Sequence, residues 1–192
     1  MTYLHGSSRR RFLGLAGALG LTGTAVLLSG CSGRGGDGAG AAPIVLGPGE
    51  GRVIPGPEGL TVKASGEDTG GAIGVLEGTT PAGFGPPRHI HHHSDELFYV
   101  LDGEFQFLVG EQLIQASAGS FVFIPRGTVH APKAVGPGAG RTVVAFVPGG
   151  EERAFDEFAA LAAAQQGALD FSSDQAQSIA RKYGAEFVGP PL

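Results

Sequence analysis

Five of the six histidines fall at only two places in the chain, residues 89–93 and His130, and the other, His5, lies close to the N-terminus. Surface histidines without a task would be scattered, so this clustering points to chemistry. If His89-Ile90-His91 is extended, its two imidazoles leave the backbone on one face, because side chains of a strand alternate with period two. Glu96 follows after four residues, enough for the chain to bend and bring a carboxylate beside the rings. Imidazole and carboxylate suit Fe, Mn, Co, Ni or Zn, and two histidines with one carboxylate leave coordination positions open for substrate or oxygen. His130 offers a fourth donor. Asp95, next to Glu96, faces the other way on an extended chain and is expected to be exposed. Phe84, Phe98, Phe105, Phe107, Phe121, Phe123 and Phe146 are candidates to line a substrate cavity, but aromatic residues on strands are core more often, so only one or two are expected there, Phe98 first because it shares the face of Glu96. No Ser-His-Asp set, phosphate loop or nucleophilic cysteine accompanies these residues.

Residues this far apart need a scaffold of short elements. With 35 glycines, 13 prolines and only 16% charged residues, turns are frequent and long helices few. Runs of β-branched and aromatic residues at 72–76, 96–101, 104–109, 112–115, 120–124 and 141–147 predict strands. Asp102-Gly103 is a strong two-residue hairpin signal, because glycine tolerates the positive φ such turns need, and Gly110-Glu111 predicts the next reversal. So many strands without intervening helices predict an all-β barrel or sandwich, which hides its edges by closing on itself. After Gly149-Gly150 the period changes. Phe155, Phe158, Leu161 and Ala162 recur at helical spacing, Glu151 and Glu152 sit where a helix dipole favours acids, and Gly167 is the stop. A second helix is expected from about Ser173, with Ala176, Ile179, Ala180 and Tyr183 on one face and Gly184 at its end. Both helices are expected to pack outside the barrel and to carry no site residue. No internal repeat is visible, so one barrel is expected.

The spacing of the candidate ligands resembles that of the cupins. Gly83, five residues, His89-x-His91, four residues, Glu96, six residues and Gly103 match the first cupin motif; Gly119, five residues, Pro125-x-Gly127, two residues and His130 match the second. Ala134 stands where that family often has an asparagine, a position that is not a metal ligand. The register His91-x-His93 spoils these distances, so His92 and His93 are read as solvated. A weak adventitious metal surface is the bland reading of the histidine run, and it gives no reason for the place of His130. The resemblance implies an antiparallel jelly-roll β-barrel over residues 44–150, with a C-terminal helical extension at 151–192. It also implies one divalent transition-metal ion held by His89, His91, Glu96 and His130. The stretch 89–103 looks most like bacterial quercetin 2,3-dioxygenase-type single-domain cupins, and the chain's last eleven residues resemble their endings. That likeness implies a metal-dependent dioxygenase acting on a small oxygenated or aromatic molecule together with dioxygen, with Glu96 as both ligand and proton acceptor. An envelope-anchored protein that captures a sugar or oxyanion without turnover is the alternative, and a cofactor-free sugar-isomerase-like activity a third. A homodimer is left open.

The N-terminal residues read as an address. Ser8-Arg9-Arg10-Arg11-Phe12-Leu13-Gly14 opens an apolar, glycine-rich stretch that ends near Leu28, a pattern similar to the twin-arginine signal. Leu28-Ser29-Gly30-Cys31 resembles the bacterial lipobox, whose cysteine is lipidated and becomes the first residue, and this accounts for the only cysteine. An uncleaved transmembrane anchor is less well matched, since residues 12–30 barely reach the ~20 that a span needs. Residues 1–30 are thus expected to be the signal and 31–43 a flexible Gly/Ala-rich tether. The protein is then a lipoprotein on the outer face of the cell membrane, touching lipid through its anchor alone. The net charge of −5 becomes more negative once the three arginines leave, and no basic run remains, so nucleic acid is not an expected partner. Mass spectrometry of the membrane fraction is expected to find diacylglyceryl on Cys31; an unmodified thiol would overturn the lipoprotein reading.

Overall fold

A computed structural model describes residues 41–56, 59–166 and 168–192. The signal, Cys31, most of the tether and Gly167 lie outside the described residues. The strands form two antiparallel sheets. One has the order β1 (Arg52–Val53), β2 (Thr61–Ala64), β3 (Gly74–Thr80), β10 (Gly140–Val147), β5 (Asp95–Asp102) and β8 (Phe121–Ile124). The other runs β11 (Ala185–Gly189), β4 (Arg88–His91), β9 (His130–Ala134), β6 (Glu104–Val109) and β7 (Gln112–Ser117). This is the cupin jelly roll expected from the sequence.

Alternation builds the core. On β5 the residues Glu96, Phe98 and Val100 are buried while their neighbours are not, and β6 turns Phe105 and Phe107 inward in the same way. Phe98, Val100, Val122 and Ile124 from the first sheet meet Phe105, Phe107, Ala116 and Ala134 from the second, with Phe98 packed edge-on against Phe107. A second cluster, Ile54, Val62, Leu76 and Phe146, receives Phe155 and Ala159.

Gly110-Glu111 makes the predicted reversal, pairing Val109 with Gln112. Asp102-Gly103 does not make a hairpin: β5 lies between β10 and β8, and β6 between β9 and β7. Gly103 does adopt a positive φ of 81°, and a Cβ there would come 2.8 Å from Gly140 Cα. The bend it makes carries the chain from one sheet to the other. Both strands present large aromatic residues, and stacking them face to face buries both sets, whereas a hairpin would leave them side by side on one surface.

Helix α1 (Ala154–Ala164) and helix α2 (Asp174–Lys182) occupy the predicted segments. Ser173 caps α2, its hydroxyl accepting from the Ala176 N–H, and Ala176 and Ala180 are buried. Two expectations for this region need correction. Beyond α2 the chain forms β11, which pairs with β4 and covers an edge that would otherwise be bare, so the extension is not wholly helical. Glu151 and Glu152 do stand at a helix start, in a short 3₁₀ turn before α1, but both are buried and each has a partner there, so the helix dipole is not their main role. Glu152, fully buried, accepts hydrogen bonds from the N–H groups of Gly66 and Gly150, each at 2.6 Å, and so ties the loop before β3 to the end of β10. A side chain at Gly74 would collide with this carboxylate.

Glu152→Ala strands both N–H groups beside a new void. It is expected to lower stability by about 2–4 kcal/mol, read from urea unfolding.

Candidate metal centre

The burial pattern of β4 turns His89 and His91 inward, as the period-two reading requires. On the neighbouring strand β9, His130 is paired directly with His89, their ring centroids 4.1 Å apart. All three imidazoles therefore come from one sheet. Glu96 comes from the facing sheet, on β5, so the four residues between His91 and Glu96 carry the chain across the interior. Ser94 anchors that crossing, its hydroxyl donating to the Pro148 carbonyl at 2.8 Å. The loop before His130 is held on two sides. Gly127 N–H donates to the His91 carbonyl at 2.7 Å, and Arg126 donates to the Asp95 carboxylate through its backbone N–H and through its guanidinium. Asp95 faces away from the site as expected, but it is half-buried and locks the loop that delivers His130. That ion pair holds its carboxyl well below the usual aspartate range.

His89, His91, Glu96 and His130 are all buried, and each offers a donor atom within 4.8 Å of the others. The hydrogen bonds fix the direction of the lone pairs. Nδ1 of His89 lies 2.8 Å from the Pro87 carbonyl and Nδ1 of His130 lies 2.9 Å from the Thr128 carbonyl. Carbonyls only accept, so both protons sit on Nδ1 and both Nε2 lone pairs point inward. His130 Nε2 is then 2.7 Å from Glu96 Oε2, two acceptors that repel unless a cation lies between them. Nε2 of His91 lies 3.3 Å from the same oxygen, is buried and makes no hydrogen bond. A divalent ion at the point of convergence removes the repulsion and gives the orphaned nitrogen a partner, so the residues fit the ion that the sequence implied. Burial, then repulsion from His130 and His91, pushes His89 down to about 3 and keeps its lone pair free. Burial alone would raise Glu96, but in the absence of an ion a positive charge on a protonated His91, and then a hydrogen bond from His130, outweigh it and hold the carboxyl far below its usual range, so that protons stand where a divalent ion would.

The site opens on a cavity of about 170 Å³. Phe98 lines it as expected and belongs equally to the core cluster. Phe84, Phe105 and Phe146 of the barrel line it too, and the sequence reading missed the part of the wall that the C-terminal extension supplies through Phe155, Phe158, Phe171, Tyr183 and Phe187. It also missed Glu151, whose Oε2 accepts the Nδ1 hydrogen of His91. The signal present was an acid pair after Gly149-Gly150, and a helix start explains such a pair equally well. His92 and His93 are exposed, in agreement with the solvated reading.

Residues 76–146 match the model of the Cupin domain. Quercetin 2,3-dioxygenase of Bacillus subtilis (strain 168) is 35% identical over 92 residues, which make up 47% of this chain and 27% of that protein. The chain thus spans about a quarter of the relative's length. Among solved structures, KdgF from Halomonas sp. aligns with a TM-score of 0.44 at 19% identity, covering 49% of this chain and 81% of that one. A predicted oxalate decarboxylase from Thermotoga maritima aligns with a TM-score of 0.46 at 19% identity, covering 52% and 89%.

Replacing His130 by alanine removes one of the four donors and leaves Glu96 without its nearest partner. Metal analysis after dialysis is expected to fall from about one divalent ion per chain to a small fraction of that, and full retention would show that the four residues do not act together. The stretch that matches the Cupin domain model, residues 76–146, thus holds all four of these side chains, brought together between two facing sheets.

Proposed function

We propose that this protein is an exported, metal-dependent dioxygenase acting on a small oxygenated or aromatic compound. The observation that carries the reading is the arrangement of three imidazole lone pairs and one carboxylate at the polar end of a cavity walled by phenylalanine. When bound, a divalent ion supplies Lewis acidity and, if redox-active, electron transfer. The remaining work falls to side chains of this chain. Glu96, buried beside His130 and facing the cavity, is positioned to accept the proton of a substrate hydroxyl. Phe98, Phe146 and Phe155 offer apolar surface for a flat ring and keep water from the reacting oxygen. The partial identity with quercetin 2,3-dioxygenase supports the same class of substrate.

A binding protein for an oxyanion is less well supported. Among the described residues that line the cavity, none is lysine or arginine, and an anion would meet Glu96 and Glu151. Export and a lipid anchor belong to the same proposal and rest on residues 8–14 and 28–31.

Metal-loaded protein is expected to consume oxygen when given flavonols. No uptake across a panel of flavonols, catechols and enediols would refute the dioxygenase reading, and a ligand that raises the melting temperature yet is recovered unchanged would favour binding instead.

A further inference from the structure

The three imidazoles of the site are not held alike. His89 and His130 each donate their Nδ1 hydrogen to a backbone carbonyl, a neutral dipole. His91 donates to the carboxylate of Glu151. Glu151 is only 6% exposed, and its second oxygen, Oε1, is buried with no hydrogen-bond partner. No lysine or arginine among the described residues forms an ion pair with Glu151 or Glu96. A buried carboxylate with a bare oxygen is costly unless a positive charge compensates it, and the nearest group able to pass such a charge to it is the ring of His91.

The position of Glu151 is not accidental, because the chain on either side of it is fastened to the barrel at several points. The Val147 carbonyl accepts from Arg126, the Pro148 carbonyl accepts from Ser94, and the Gly149 N–H donates to the Gly71 carbonyl. Glu152 takes the Gly150 N–H, and Gly150 has a φ of 132°, a conformation that side chains disfavour. On the far side, a Cβ at Gly184 would come 3.1 Å from Glu151 Oε1, so the glycine that ends α2 leaves the carboxylate its space.

We propose that Glu151 is a positioning residue of the metal centre. It fixes the tautomer and tilt of His91, adds negative charge through that ring to the bound ion, and makes the C-terminal extension part of the site. The inference rests on the metal reading above. A carboxylate behind a ligating histidine raises the basicity of the ring, and loss of such a partner typically lowers metal affinity about 10–100-fold. Two carboxylates facing three neutral imidazoles also match the charge of a divalent ion. Glu151 lies outside residues 76–146, so the matched domain does not contain the full set of groups acting on its ion.

The test uses the full chain and Co(II) alone, with affinity measured by competition against a chromophoric chelator and geometry by the visible absorption of bound cobalt. Glu151→Ala is expected to weaken affinity by up to about 100-fold and to shift the cobalt bands. Glu151→Gln keeps an acceptor in place without its charge, and is expected to lose about 10-fold with bands close to wild type. A merely structural role would lower the melting temperature and leave cobalt affinity and bands unmoved. Should the alanine variant not fold, the glutamine variant decides: wild-type affinity in a folded Glu151→Gln protein overturns the inference. Wild-type protein that takes up no cobalt would instead overturn the metal reading itself, and this inference with it.

Discussion

Four buried acceptors pointed at one another cannot be neighbours without a cation, and this electrostatic demand governs the centre of the protein. Each backbone carbonyl that takes an Nδ1 hydrogen turns the opposite nitrogen of that ring into a lone pair facing inward. With Glu96 Oε2 2.7 Å from His130 Nε2, the cluster needs positive charge at its centre, which shared protons or a divalent ion can supply. Binding and folding are therefore linked, and the surrounding elements must resist the tendency of these four side chains to separate.

The jelly roll meets that demand by drawing ligands from both of its sheets. Three imidazoles stand on adjacent strands of one sheet and the carboxylate on the other, so the ion would bridge the sandwich. The crossing from His91 to Glu96 and the loop before His130 are tied to each other and to the end of β10 through Ser94, Arg126 and Gly127. Asp95, on the outward face of β5, takes part in that tying without touching the site. Precision here comes from hydrogen bonds between loops that are distant in sequence, and the apolar core beneath them excludes the water that would weaken each contact.

The C-terminal extension does more than shield the barrel. Its strand pairs with β4 so that Phe187 lies opposite His89 and Ala185 opposite His91. Its helix α1 contributes Phe155 and Phe158 to the cavity, and Phe158, Phe171 and Phe187 contact one another at the wall near His89. One short turn carries both the buried carboxylate that ties two loops together and the one that holds His91. Cavity shape and ligand orientation thus share a single covalent segment.

The sequence by itself determined what alternation and spacing can carry. Period two along His89-Ile90-His91 put both rings on one face, the aromatic runs marked the strands, and the serine before α2 marked its cap. These are local properties, fixed by backbone geometry over a few residues, whereas the set of four ligands was implied by the resemblance of the intervals from Gly83 to His130 to the two cupin motifs. Pairing was decided only in three dimensions, which is why Asp102-Gly103 reads as a hairpin and is a crossing between sheets: the turn is local, whereas the choice of neighbour depends on which stacking buries the phenylalanines of both strands. The role of Glu151 likewise depends on a contact 60 residues away in the chain. An acid after two glycines looks the same whether a helix dipole or a buried imidazole faces it, and only the folded protein tells them apart.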